Sequence, residues 1–96
     1  MGKIKSVAAY DLYKPDFPTE PVSVGERNVI LDYMRSFEPS YRTASKVFDP
    51  VKGKWTSLEL EAFTDGTWGW DTNDIYLFDR YELKLDPGFS SMLRKR

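Results

Sequence analysis

The pair Asp65-Gly66 lies between two runs rich in aromatic residues, and it constrains the fold more than any other feature of the sequence. Asp and Gly tolerate the positive φ angles that both central residues of a type I′ turn require, so the pair predicts a β-hairpin. The predicted cross-strand pairs are Thr64 with Thr67, Phe63 with Trp68, Ala62 with Gly69, and Glu61 with Trp70. This register places three aromatic rings on one face of the ribbon.

Apolar and polar side chains also alternate with a period of two on the N-terminal side of this hairpin, and this pattern predicts a further strand. We expect strands over Thr43–Asp49, Lys54–Phe63 and Thr67–Trp70, with residues 50–53 forming the first turn. Short turns connect strands that are antiparallel neighbours. The three strands are therefore predicted to form a three-stranded antiparallel β-meander.

The alternation gives the two faces of the meander different chemistry. One face is aliphatic and is predicted to pack against the first helix. It carries Val47, Leu58, Leu60 and Ala62. The other face carries Phe48, Trp55, Phe63, Trp68 and Trp70, with Lys46, Glu59 and Glu61 among them.

Helices are predicted before and after the meander. Ser23 and Glu26 have the spacing of a capping box, and a helical apolar stripe follows them, so the first helix is placed at about 24–37. A second helix is predicted after the third strand, with Asp71 or Thr72 as its cap, and a proline opens a last short helix. The predicted fold class is α+β: a helix, the β-meander, and one or two C-terminal helices.

Residues 1–22 form an N-terminal segment interrupted by prolines. Pro15, Pro18 and Pro21 exclude a helix in their part of the segment and predict an extended chain that lies over the surface. The apolar residues within 6–13 follow neither the helical period nor the strand period, so residues 6–13 are compatible with a short helix or with an edge strand. At 96 residues, the whole chain, 1–96, is expected to fold as a single domain.

The sequence contains no cysteine and no histidine. Without them there is no Ser-His-Asp or Cys-His catalysis and no usual zinc site, so we expect neither a cofactor nor catalytic residues of these kinds. Fourteen basic and fifteen acidic residues are spread along the chain, which argues against a nucleic-acid partner. No apolar run approaches the ~20 residues of a membrane span, so we expect a cytoplasmic protein without a membrane partner.

Asp71, Asp74 and Asp79 are the candidates for a metal site or for a general acid and base. An EF-hand loop beginning at Asp71 fails, because Tyr76 occupies the position that requires glycine. Helix capping explains Asp71 and Asp74 without any ligand, so no metal site is the expectation. If these carboxylates did act together, the alternative function would be a carboxylate-dependent, metal-assisted hydrolase or a small-ligand-binding domain.

The aromatic face allows two interpretations. In the first, the second helix or the N-terminal segment, through residues such as Tyr10, Tyr13 and Phe17, folds over the rings and buries them. In the second, the face is exposed and contacts a protein partner or a second copy of the chain. The candidate contact residues are Trp55, Glu59, Glu61, Phe63, Trp68 and Trp70. The leading hypothesis is a small non-enzymatic protein-binding module.

The C-terminal half resembles a group of small uncharacterised bacterial proteins. These have a Thr-Asp-Gly turn, a Trp-x-Trp pair, a helix with paired aromatic residues and a closing L-x-L-x-P-x-F. Here the motifs are formed by Thr64–Trp70, Tyr76, Tyr81, Leu83, Leu85, Pro87 and Phe89. The resemblance covers about residues 43–93. It implies a helix, a β-meander and C-terminal helices in a bacterial cytoplasmic protein, and some members look like mobile-element cassette products or toxin-immunity proteins.

Overall fold

Helices pack on a small β-sheet in an α+β fold. The computed structural model of the protein describes residues 3–94. In chain order these residues form β1 (Lys5–Ser6), α1 (Val24–Arg35), β2 (Tyr41–Asp49), β3 (Lys54–Thr64), β4 (Trp68–Asp71), α2 (Thr72–Tyr81) and α3 (Pro87–Arg94). The predicted α+β class is confirmed. No helix within residues 3–94 has the length and apolar character needed to span a membrane.

The sheet is mixed, and its strand order is β1-β4-β3-β2. β2, β3 and β4 are antiparallel neighbours, as predicted, but β1 adds a fourth strand that runs parallel to β4. The prediction of a purely antiparallel three-stranded sheet therefore needs correction. β1 has only two residues, Lys5 and Ser6, too few to show a period of two in the sequence.

The hairpin that joins β3 and β4 has a different register from the predicted one. Thr64 lies opposite Gly69, and Phe63 lies opposite Trp70 rather than Trp68. A shift of two residues leaves every side chain on its original face. The rings of Phe63 and Trp70 consequently stack, with their centroids 6.4 Å apart.

The turn of this hairpin is not of type I′. Gly66 has a positive φ of 98°, but Asp65 does not, whereas a type I′ turn needs both. The Asp65 carboxylate instead accepts hydrogen bonds from the amides of Thr67 and Trp68, at 2.9 and 2.7 Å. The Asp65 side chain thus closes the loop by hydrogen bonds to backbone amides two and three residues further along the chain, and the β3–β4 register differs by two residues from the predicted one.

Two compensating bulges interrupt the β2–β3 pair. One lies in β3 opposite Val47, where Thr56 Oγ1 donates to the Val47 carbonyl (2.8 Å) and accepts from the Leu58 amide (3.2 Å). The other lies in β2, nearer its beginning. Because the two bulges offset each other, the pairing at both ends of the hairpin has the same register, and Phe48 lies directly opposite Trp55.

The aromatic face of the sheet packs against α1. Trp70 is 3% exposed, and its indole Nε1 donates to the Met34 carbonyl at 3.0 Å. Phe89 of α3 contacts both Trp68 and Trp70. Leu58, from the face predicted to be buried, is 45% exposed. The predicted assignment of the faces needs correction, because the face with the large rings contacts α1 through Trp70, although Val47 of the aliphatic face is also fully buried.

Capping residues set the beginnings of the helices. Ser23 Oγ caps α1 by accepting from the Glu26 amide at 3.1 Å, and α1 ends two residues before the predicted position. The predicted return bond from Glu26 is replaced by an ion pair in which its carboxylate accepts from Arg94 Nε at 2.6 Å. Asp71 caps α2, and with Asp74 it forms a complete capping box.

The N-terminal segment, described from residue 3, contains no helix and is tied to the C-terminal part of the chain. The Val7 carbonyl accepts from the Asp86 amide at 2.6 Å, and the Pro18 carbonyl accepts from the Lys84 amide at 2.9 Å. Val7 itself is fully buried. These bonds fix where the residues between them lie on the surface.

Candidate functional site

The predicted contact residues do not share one surface. Three of them are buried or half-buried: Phe63, Trp68 and Trp70. Glu61 is half-buried and forms an ion pair with Arg42 at 2.8 Å. Trp55 and Glu59 are exposed. The rings of β4 contact α1 and α3, and Lys5 of the N-terminal segment lies over the Trp68 ring. Only part of the predicted set is accessible to a partner.

Three aromatic rings meet at the end of the β2–β3 hairpin. Phe48 and Trp55 have centroids 5.0 Å apart, and Tyr13 packs edge-on against both, at 5.3 and 6.2 Å. Tyr13, one of the residues predicted to cover the aromatic face, leaves Trp55 59% exposed and is itself 59% exposed. We call Tyr13, Phe48 and Trp55 the hairpin-end cluster.

The exposed charged side chains of this hairpin end are basic. Within residues 46–55 they are Lys46, Lys52 and Lys54. Asp49 is the acid of the same segment, but it is 1% exposed and its carboxylate accepts from the hydroxyl groups of Tyr76 and Tyr81, at 2.6 and 2.7 Å. Glu59 lies opposite Lys46 in the sheet. The hairpin end thus combines large apolar rings with positive charge.

The three predicted acidic candidates are not brought together. Asp71 and Asp74 lie at the first turn of α2, whereas Asp79 lies near its end and forms an ion pair with Arg35 of α1 at 3.4 Å. In the described part of the chain, no group of three or more Asp, Glu, His or Cys side chains is arranged to hold a metal ion. Asp79 therefore does not belong to a common site with the other two carboxylates.

A cleft of about 440 Å³ opens beside the first turn of α2. It is lined by Ser6, Ala8, Ala9, Tyr10, Leu12, Asp71, Asn73 and Asp74, and we call it the α2 cleft. Tyr10 Oη donates to Asp74 Oδ1 at 2.7 Å. No local sequence pattern identifies Tyr10 or Asn73 as a site residue, and Tyr10 and Asp74 are 64 residues apart.

The carboxyl group of Asp74 titrates near neutral pH. Burial, together with the nearby charge of Asp71, raises the pKa of Asp74 to about 7, although the hydrogen bond from Tyr10 acts in the opposite direction. Burial and the charge of Asp74 also raise the pKa of Tyr10, so this hydroxyl stays protonated and remains a donor. Asp74 is therefore the group of the α2 cleft whose charge changes under physiological conditions.

We expect the stability that Asp74 contributes to decline as the pH rises. The folded-state pKa of about 7 lies above the ordinary value of 3.8, so the native state binds more protons between these values. The contribution is complete below the ordinary value and is lost as the pH passes through about 7. We would measure the unfolding free energies of the wild type and Asp74→Asn by urea denaturation at a series of pH values. The unfolding free energy of the wild type, relative to that of Asp74→Asn, should fall as the pH rises.

The matched control for this measurement is Asp79→Asn, which removes a more exposed carboxylate from the same helix. The difference in unfolding free energy between the wild type and Asp79→Asn should not show this decline between pH ~4 and ~8. A constant difference between the wild type and Asp74→Asn over that range would contradict the raised pKa of Asp74.

We compared the chain with protein-family models, with curated proteins and with solved structures. None of the three comparisons gives a match. Function at the hairpin-end cluster and the α2 cleft has to be inferred from the geometry, burial and charge of their own residues.

Proposed function

We propose that this protein is a small non-enzymatic protein-binding module and that the hairpin-end cluster is its contact surface. The observation that carries the proposal is the exposure of Tyr13 and Trp55, each 59%, within a preformed group of rings. Aromatic side chains are enriched at the energetically important positions of protein interfaces, since they bury a large area at low entropic cost. Rings that already hold one another in place lose less freedom on binding than separate ones.

The lysines of the hairpin end favour an acidic partner, although Asp11, whose carboxylate accepts from the Tyr13 amide at 3.1 Å, is an exposed acid beside the cluster. A partner with carboxylates around an apolar pocket complements the three exposed lysines of residues 46–55. A second copy of the chain, placed about a two-fold axis at this surface, would bring the same lysines together, which opposes a homodimer there. Because some of the small bacterial proteins that the C-terminal half resembles look like toxin-immunity proteins, a bacterial toxin with an acidic surface is the first class of partner to test.

The proposal is tested by recovery of a partner with the tagged full-length chain in extracts of host cells. Trp55→Ala and Tyr13→Ala are expected to abolish recovery, because each removes an exposed ring of the cluster. Tyr41→Ala is the matched control, since it removes a ring that is 62% exposed at the other end of β2. The control variant should recover the partner as well as the wild type does.

Equal recovery by all three variants, with circular dichroism showing that they are folded, would contradict the proposal. Loss of the recovered material after nuclease treatment would assign the surface to nucleic acid instead. A wild-type dimer in sedimentation equilibrium that becomes monomeric in Trp55→Ala would assign it to self-association.

A further inference from the structure

Another cleft, of about 320 Å³, opens between β3 and α2. Its apolar lining consists of Leu58, Phe63, Ile75 and the ring of Tyr76, and we call it the β3 cleft. Leu58 is 45% exposed, so part of this apolar lining is open to a ligand. Small-molecule sites are typically clefts of about 300–1,000 Å³ that are mostly apolar and contain a few polar groups that orient the ligand.

The charged side chains of the β3 cleft leave one cation without a partner. They are Arg35, Glu61, Asp79 and Arg80. Arg35 forms an ion pair with Asp79 at 3.4 Å, and Arg42 of β2 forms one with Glu61 at 2.8 Å. Within residues 3–94, the guanidinium of Arg80 forms no ion pair and donates no hydrogen bond. Both acids of the cleft are therefore matched by an arginine, and the charge of Arg80 is left over.

The guanidinium of Arg80 is positioned by the ring of Tyr76. Its Cζ lies over this ring, 5.4 Å from the centroid, and the Tyr76 hydroxyl donates to the buried carboxylate of Asp49 at 2.6 Å. Asp49 is not available to Arg80, because both of its oxygens already accept hydrogen bonds from other groups. The cation–π contact uses none of the five N–H donors of the guanidinium in a hydrogen bond, so they remain available to an acceptor.

We propose that the β3 cleft binds a small apolar carboxylate, with the apolar group of the ligand against Leu58 and Phe63 and its carboxylate on Arg80. A guanidinium is planar and forms two parallel hydrogen bonds to a carboxylate. One unpaired cation in an apolar cleft matches a ligand with one negative charge. A neutral ligand would leave the donors of Arg80 unused, and an inorganic anion would leave the apolar lining uncovered.

The test is a titration of the full chain with sodium 1-naphthylacetate, followed by the ¹H and ¹⁵N resonances of the Arg80 Nε–H group. We expect saturable shifts of this group and a rise in Tm with ligand concentration. Two control compounds, 1-naphthylacetamide with the ring but no charge and inorganic phosphate with charge but no ring, should each bind about tenfold more weakly or less. No saturable shift, or binding of comparable strength by either control compound, would overturn the proposal.

Arg80→Gln tests the cation of the site. It is expected to weaken 1-naphthylacetate binding about tenfold or more, because it removes the charged donor of the carboxylate. Lys84→Gln is the matched control, since it removes an exposed cation that does not line the β3 cleft. The control variant should bind as the wild type does. Equal binding by Arg80→Gln and Lys84→Gln would overturn the proposal.

Two substitutions of Leu58 test the apolar lining. Leu58→Asn removes apolar area from the cleft, and Leu58→Asp removes the same area and adds a negative charge. Both should weaken 1-naphthylacetate binding, and Leu58→Asp should weaken it more, because its carboxylate repels that of the ligand and competes for Arg80. Leu58 is partly exposed, so both variants are expected to fold, which circular dichroism checks. Equal binding by the wild type and folded Leu58→Asp would overturn the proposal.

A last variant separates the β3 cleft from the hairpin-end cluster. That cluster also combines aromatic rings with lysines, so it is the competing place for an aromatic anion. Trp55→Ala should leave the titration with 1-naphthylacetate unchanged. Loss of binding in Trp55→Ala, with normal binding in Arg80→Gln, would place the ligand at the hairpin-end cluster and overturn the proposal. The titration needs no protein partner, so its result is independent of the partner recovery described above.

Discussion

Replacing Asp49 by alanine is expected to lower the free energy of unfolding by about 3 kcal/mol, a large part of the total for a domain of this size. Asp49 is 1% exposed, and its carboxylate accepts four hydrogen bonds. Two come from the hydroxyls of Tyr76 and Tyr81 on α2, and two from the backbone amides of the turn that joins β2 to β3. Alanine leaves all four donors without their acceptor. Urea denaturation measures the loss.

The control for Asp49→Ala is Tyr81→Phe, which removes one of the four donors and keeps the carboxylate. Its cost should be about 1 kcal/mol, because only one hydrogen bond is lost and the ring still packs. A loss of similar size in the two variants, or a loss below about 1 kcal/mol for Asp49→Ala, would show that the carboxylate does not anchor α2 to the hairpin.

Asp49 also makes an acid-dependent contribution to stability. Burial raises the pKa of Asp49, but the combined hydrogen bonds from Tyr76, Tyr81 and the turn lower it further, so the net pKa lies below 3.8. The stability that this carboxylate provides is therefore present above the ordinary value of 3.8 and is lost as the pH falls below it. This sign is the reverse of the one expected for Asp74.

Trp70→Ala is expected to cost about 3–5 kcal/mol of unfolding free energy. Trp70 is 3% exposed, stacks on Phe63, contacts Phe89 and donates to the Met34 carbonyl. Truncation leaves a large cavity between the sheet, α1 and α3, and it leaves a buried carbonyl without its donor. Thermal and urea unfolding should both show the loss.

Trp55→Ala is the matched control for Trp70→Ala, because it removes the same side chain from an exposed position. Its cost in unfolding free energy should stay within about 1 kcal/mol, since a ring that is 59% exposed buries little apolar area on folding. Acrylamide should quench the fluorescence of Trp55 and leave that of the buried Trp68 and Trp70 largely unaffected. Equal destabilisation by Trp55→Ala and Trp70→Ala would contradict the assignment of these rings to surface and core.

Signals that act over three or four residues predicted the helices well. Ser23 and Asp71 do cap α1 and α2, and the last helix does begin at Pro87. Each depends on one side chain and the nearest free backbone amides, or on the fixed φ of proline, so the local sequence contains the necessary information. The strand positions are right within one or two residues, because the alternation of side chains along a strand is also a local signal.

The register of the second hairpin shows where local reasoning stops. Asp65-Gly66 correctly predicts a turn, but two pairings that differ by two residues keep the same rings on the same face. The Asp65 carboxylate also accepts from the Tyr33 hydroxyl of α1 at 2.6 Å. The sequence near the turn does not contain this tertiary contact.

The α+β class, the three predicted helices, the antiparallel order of β2, β3 and β4, and the lack of histidine and cysteine chemistry follow from the sequence by itself, because short-range bonds and composition determine them. Tertiary structure decided which face of the sheet became the core, since both faces carry apolar side chains and compete for the same helix. It also decided both candidate surfaces. Tyr13 reaches Trp55, and Tyr10 reaches Asp74, only because the N-terminal segment is held against the rest of the chain. Contacts between residues so far apart in sequence depend on the packing of the whole domain.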